Sequence, residues 1–193
     1  NAQLFARIKA VYDMRSTLSL TPEQAMLLDN TYKDFVRGGA NLPEPDKQRL
    51  RNINDELSML SLKFNQNLLK ETNTYRLVVE KKEDLDGLPQ SVIDAAAEAA
   101  RKAKLDGKWV FTLQKPSWIP FLQSAKNRAL RETLYTAYCN RGDNNNAFDN
   151  KAISSRIAAL RVARANLLGY PTHAAYVLEE NMARTPATVY EFL

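Results

Sequence analysis

The sequence predicts a mainly α protein: a multi-helix body with a small two-stranded β insert around one helix. Three observations predict it. Apolar residues recur at steps of three and four along most of the chain, the spacing of a single helix face. Strict alternation replaces that period only at Tyr75-Leu77-Val79 and Trp109-Phe111-Leu113. Caps and breakers, Thr21-Pro22, Gly38-Gly39, Gly169 and Thr185-Pro186 among them, punctuate the helical stretches where helices conventionally start and stop.

Taken in order, Leu4, Ile8, Val11 and Tyr12 give a first amphipathic helix already under way at Asn1. Thr21-Pro22-Glu23-Gln24 starts the next: the hydroxyl caps, Pro suits the first helical position, and Gln three residues on completes a capping box. Ala25, Leu28, Tyr32 and Phe35 share its face, and Gly38-Gly39 ends it by permitting positive φ. Leu50, Ile53, Leu57, Leu60, Phe64 and Leu68 then mark the longest helix, about 25 residues and roughly 37 Å. The stripe is too short for a sustained coiled-coil seam, and Leu62 and Leu69 widen it towards a buried bundle helix. The two alternating runs enclose Gly87-Leu88-Pro89, an Ala-rich helix from Gln90 to Lys104 and an Asp106-Gly107 turn. Two strands are too few for an independent sheet, so this insert packs on the helical body. A short helix over Trp118–Leu122 follows, then one from Lys126 to Asn140 and a polar loop, Arg141 to Asn146. Ile153, Ile157, Leu160, Ala163 and Leu167 form the next face, closed by Gly169; Thr172 and Thr185 cap the last two helices. The expected organisation is 1–73 helical, 74–114 the β-α-β insert, and 115–193 helical again.

Composition is that of a folded, ordinary globular chain: 45% apolar and 25% charged residues. The net charge of +5 is spread out, as in Lys81-Lys82-Glu83-Asp84, rather than gathered into the basic stripe of a nucleic-acid binder. No nucleic-acid or membrane partner is expected, since no apolar run approaches the roughly 20 residues a membrane helix needs. Cys139 is the single cysteine, which excludes an intrachain disulfide and a cysteine metal cluster. That suits the cytoplasm, and a disulfide-free periplasmic protein has the same composition.

Few motifs carry chemistry. His173 is the only histidine, and Glu179 and Glu180 lie six and seven residues on, too sparse a set for zinc; it reads as a polar residue at a helix start. Asp143-Asn144-Asn145-Asn146 is followed by Phe148 and Ser154 where a calcium loop requires Gly and a bidentate Glu, so the stretch reads as a turn, as does Arg141-Gly142-Asp143. Glu179-Glu180 and Asp84-x-Asp86 are close carboxylate pairs; neighbours on a helix diverge by about 100°, so the first reads as a solvated face. Cys139 acts as a nucleophile only if the fold brings His173 to it. The sequence therefore yields no catalytic, cofactor-binding or metal-binding residue.

A resemblance runs through the whole chain. Leu20-Thr21-Pro22-Glu23-Gln24, Phe35-Val36-Arg37-Gly38-Gly39-Ala40, Phe64-Asn65-Gln66-Asn67-Leu68-Leu69, Leu85-Asp86-Gly87-Leu88-Pro89, Asn127-Arg128-Ala129-Leu130-Arg131-Glu132 and Asp149-Asn150-Lys151-Ala152-Ile153 appear in that order. They resemble the amino-terminal part of the thimet oligopeptidase family of zinc peptidases. Thr172-His173-Ala174-Ala175-Tyr176-Val177-Leu178-Glu179 and Met182-Ala183-Arg184-Thr185-Pro186 are most similar to its peptidyl-dipeptidase branch. The resemblance implies a helical, two-lobed parent that hydrolyses short peptides in a deep channel, of which this stretch forms one wall. Zinc in that family is held by His-Glu-x-x-His and a downstream Glu, and none of these positions exists in the chain. The expectation is an amino-terminal fragment, itself inactive and without zinc, that leads into an absent catalytic lobe. The alternative is a non-enzymatic helical interaction domain.

Overall fold

The computed structural model describes residues 1–193 and is mainly helical, with nine α-helices and one two-stranded sheet. The helices are α1 (Ala2–Asp13), α2 (Pro22–Arg37), α3 (Glu44–Thr74), α4 (Gln90–Lys102), α5 (Lys115–Ser124), α6 (Arg128–Cys139), α7 (Lys151–Leu167), α8 (His173–Leu178) and α9 (Pro186–Phe192). Strands β1 (Leu77–Val79) and β2 (Trp109–Phe111) pair antiparallel, with Leu77 opposite Phe111 and Val79 opposite Trp109. Two compact units emerge, one of residues 1–59 and 156–193 and the other of residues 60–155. Helices α3 and α7 contribute residues to each.

In the first unit, Thr21 caps α2 with a complete capping box: its hydroxyl accepts from Gln24 N, and the Gln24 side chain accepts from Thr21 N. Gly39 turns the chain after α2 at φ 84°; a Cβ there would stand 2.4 Å from Leu50 Cδ2, so glycine is required for conformation and for space. Leu50, Ile53 and Leu57 of α3 and Leu160 and Ala165 of α7 are buried. On α1, Leu4 and Val11 are exposed, whereas Tyr12 stacks on Tyr32 of α2 with ring centroids 3.7 Å apart.

The core of the second unit gathers Leu77 and Val79 of β1, Phe111 of β2, Ala96 of α4, Phe121 of α5 and Leu134 of α6. The Phe111 and Phe121 rings lie 4.5 Å apart. The ribbon is thus covered by α4, α5 and α6, as a two-stranded sheet must be to persist.

Several elements differ from the sequence expectation. Helix α3 has 31 residues, longer than its apolar stripe, because its ends are built from Glu44-Pro45-Asp46 and Asn67-to-Thr74 residues that favour or tolerate helix without marking a greasy face. Leu62 and Leu69 do not widen a buried surface: they are 53% and 59% exposed. The face that continues inward beyond Leu57 passes through half-buried Leu60 and Phe64 to Asn67 and Glu71, which are buried. Helix α4 stops at Lys102, short of Lys104. There Lys104 adopts φ 59° and Leu105 N donates to Ala100 O at 2.9 Å, a helix stop formed without glycine. Helix α6 begins at Arg128 rather than Lys126 because Asn127 Oδ1 accepts from Leu130 N.

Candidate functional site

Polar side chains come together in two places, one in each unit. In the first unit the centre is Arg37, at the end of α2, whose side chain is only 10% exposed. Its guanidinium donates from Nη1 to Glu179 Oε2 at 2.5 Å, and its Nε forms an ion pair with Glu180 Oε1 at 3.0 Å. Tyr170 Oη also donates to Glu179 Oε2 at 2.5 Å. The Tyr176 ring lies 4.2 Å from the Arg37 guanidinium and 5.3 Å from that of Arg164. Burial works against the charge on Glu179, but Tyr170, Arg37 and Lys33 outweigh it and hold the carboxyl below its ordinary range.

Glu179 and Glu180 are partly solvated, as the sequence reading has them, but they lie just past a helix rather than on its face. Helix α8 ends at Leu178, so the 100° divergence of helical neighbours does not apply to them, and both turn onto one guanidinium. The charge-assisted hydrogen bond to Glu179 and the ion pair with Glu180 fasten the segment after α8 to the end of α2.

His173 takes the first position of α8, where Thr172 Oγ1 caps by accepting from Ala175 N. Its Nδ1 and the Arg164 Nε are buried without hydrogen-bond partners. Burial, then Arg161 and Arg164, lower its pKa below the usual 6.5, so the imidazole is neutral at pH 7. Two guanidiniums beside it repel a further cation. No group of three or more His, Cys, Asp or Glu side chains stands together as a metal site, and the residues present do not fit zinc, which needs three or four such ligands.

In the second unit the centre is Glu71, 6% exposed. Its carboxylate accepts from Gly142 N, from Asn144 Nδ2 at 3.0 and 3.1 Å, and from Asn146 Nδ2 at 2.5 Å. Burial pushes its pKa up, and those donors more than reverse the effect, leaving it below the ordinary carboxylate value. Asn67 Nδ2 donates to Asn150 Oδ1 at 2.9 Å, and Asn150 Nδ2 donates to Phe64 O at 3.1 Å. Asn150 N donates to Gly142 O at 2.7 Å and closes the loop between α6 and α7 on itself. Gly142, at φ 78°, approaches so closely that a Cβ would stand 2.9 Å from Asn150 Nδ2. The Arg141–Asn146 stretch is a turn, as its composition implies, but one pinned to α3 by a buried carboxylate.

Other residues singled out by sequence are structural. Asp84 Oδ1 accepts from Asn127 Nδ2 at 2.7 Å, and Asp86 pairs with Lys126 at 3.0 Å. Cys139 is exposed at the end of α6, with the Tyr135 hydroxyl as its neighbour. Sequence reasoning passed over Arg37 and Glu71. A signal for Glu71 was available: Asn67 and Glu71 continue the three-and-four stepping of the α3 core face, which identifies buried polar groups once the stripe is followed past its last leucine. Arg37 has no such local signal, because its partners are some 142 positions away.

Residues 121–193 match the sequence pattern of peptidase family M3. The whole chain aligns with the dipeptidyl carboxypeptidase of Escherichia coli, 38% identical over 193 residues, all of this chain and 28% of that protein. Residues 121–193 thus carry the family M3 pattern, and the chain is similar along its whole length to proteins named as peptidases. Oligopeptidase A of Haemophilus influenzae is 37% identical over 174 residues, 88% of this chain and 25% of its own length. A probable cytosolic oligopeptidase A of Arabidopsis thaliana is 35% identical over 192 residues, 96% of this chain and 27% of its own. The chain thus spans about a quarter of the length of these relatives. None of its helices is long and apolar enough to cross a membrane.

Proposed function

We propose that the chain is the amino-terminal part of a zinc metallopeptidase that hydrolyses short peptides and that it builds one wall of the substrate channel. Zinc and the residues that hold it then belong to the remainder of the polypeptide. The carrying observation is similarity along the whole chain to dipeptidyl carboxypeptidase and oligopeptidase A over about a quarter of their length. The chain's work is positional: Arg37 and Glu71 fix loops onto helices, and neither has hydrogen-bonding capacity directed at chemistry. Removal of two residues at a time from a peptide's carboxyl end is the mode we favour, following the relative of highest quoted identity; a cytoplasmic location accords with the cytosolic relative.

The decisive test is the coding sequence that adjoins this chain. An in-frame His-Glu-x-x-His with a downstream Glu supports the proposal. Its absence would leave a helical interaction domain as the better reading. Independently, the purified 193-residue chain is expected to hold no stoichiometric zinc and to leave short peptides intact. Chelator-sensitive cleavage by that chain alone would overturn the proposed division of labour.

A further inference from the structure

A concavity of about 310 Å³ opens at the end of α3, within the second unit, and its wall includes Glu71, Tyr75, Leu113, Arg141, Asn146 and Phe148. We propose that it binds a small carboxylate on a branched aliphatic body, with the Arg141 guanidinium as counter-charge.

The unspent hydrogen-bonding capacity of the wall argues for this ligand. Glu71 is engaged by three donors of the loop, Gly142 N, Asn144 Nδ2 shared between both oxygens and Asn146 Nδ2. Its charge is thus compensated within the protein. Arg141 is in the opposite condition. Of its five N–H groups, Nε–H donates to Tyr138 O at 2.9 Å and one Nη1–H to Thr72 Oγ1 at 3.1 Å. No carboxylate of the chain pairs with it. The Tyr138 ring lies 3.7 Å beneath the guanidinium, which fixes its plane and covers one face. Three N–H groups remain, and they are donors for a charge-assisted bond to a ligand carboxylate. Tyr75 Oη has no partner in the protein, and burial keeps its proton on. It is a second donor for the same ligand.

The rest of the wall selects the ligand's body. Leu113 is 2% exposed, and together with Phe148 it gives an apolar side that inorganic anions cannot use. The volume lies at the small end of ligand pockets, about 300–1,000 Å³, which suits a branched acid of a few carbons.

Proton–nitrogen correlation spectra of the 193-residue chain at pH 7, titrated with isovalerate, test the proposal. Saturable shifts are expected at Gly142, Asn146 and Phe148. Isovaleramide, the same body without charge, should bind at least about tenfold more weakly, the usual value of a charge-assisted hydrogen bond. Phosphate should not compete. N-acetyl-leucine distinguishes a free acid from the carboxyl end of a longer chain: saturation by either compound supports the site, and the tighter one identifies the source. Arg141→Gln should weaken isovalerate by a similar factor while Arg128→Gln leaves it unchanged. Equal binding of amide and acid, or saturation by neither carboxylate, would overturn the proposal without any variant having to fold.

Discussion

Glu71 and His173 show how single titratable groups set the stability of this chain. Replacing Glu71 with Gln substitutes an N–H donor for one of two oxygens that face Gly142 N–H and the Asn144 and Asn146 amides. The expected cost is about 1–3 kcal/mol, the penalty for a buried donor without an acceptor. Urea unfolding of the two proteins measures it, and a loss within error would mean the loop is not held by this carboxylate. Acid should act on both groups in the same direction. The folded pKa of His173 lies below 6.5, so the unfolded chain takes up its proton first, and stability falls as pH drops below about 6.5. Glu71, depressed below 4.5, adds a further loss as pH falls through the carboxylate range. His173→Gln should remove the first decline and leave the second. A midpoint that still falls between pH 7 and 5 in that variant would show that another group is responsible. Both roles were only half legible beforehand: residue type and helix position were plain for His173, but the two neighbouring guanidiniums come from a different helix.

Helix α3 separates periodicity from burial at the element scale. Leu57 is 8% exposed and Leu62 53% exposed on the same helix. Leu57→Ala should therefore cost about 2–5 kcal/mol, against under about 0.5 kcal/mol for Leu62→Ala; equal losses would contradict the assigned face. The sequence pattern located the stripe but not its width, because leucine is a good helix former wherever it falls, buried or not. Helix α9 makes the complementary case. Its seven residues carry a good cap and a Pro start, yet none is buried, and Tyr190, Phe192 and Leu193 are 79–90% exposed. An isolated helix so short is marginal in water. Amide exchange over 186–193 should be fast, within about a hundredfold of unfolded rates, and strong protection there would mean something covers this helix. Local signals alone therefore predict where such a helix starts, and tertiary cover decides whether it persists.

At the scale of the whole molecule, the polar knots at Arg37 and Glu71 and the apolar cores do what a metal or disulfides do in smaller domains. Prolonged dialysis against a strong chelator should leave the thermal midpoint of the 193-residue chain unchanged within about 1 °C, since no residue group fits a structural metal; a larger fall would reveal a metal contribution to folding. The sequence by itself determined the helical class, two short strands around one helix, the three helix N-caps Thr21, Thr172 and Thr185, and the similarity to family M3 peptidases. Each depends on residues within a few positions of one another, or on an ordered series of such stretches. Tertiary structure alone decided that one compact unit joins residues 1–59 to residues 156–193, that Arg37 receives two carboxylates from beyond α8, and that Glu71 clamps a loop some 71–75 residues away. The physical reason is common to all three. A capping hydroxyl or an amphipathic period is satisfied locally, whereas a buried charge has no preferred partner until the fold has removed water and left it only the donors and acceptors within reach.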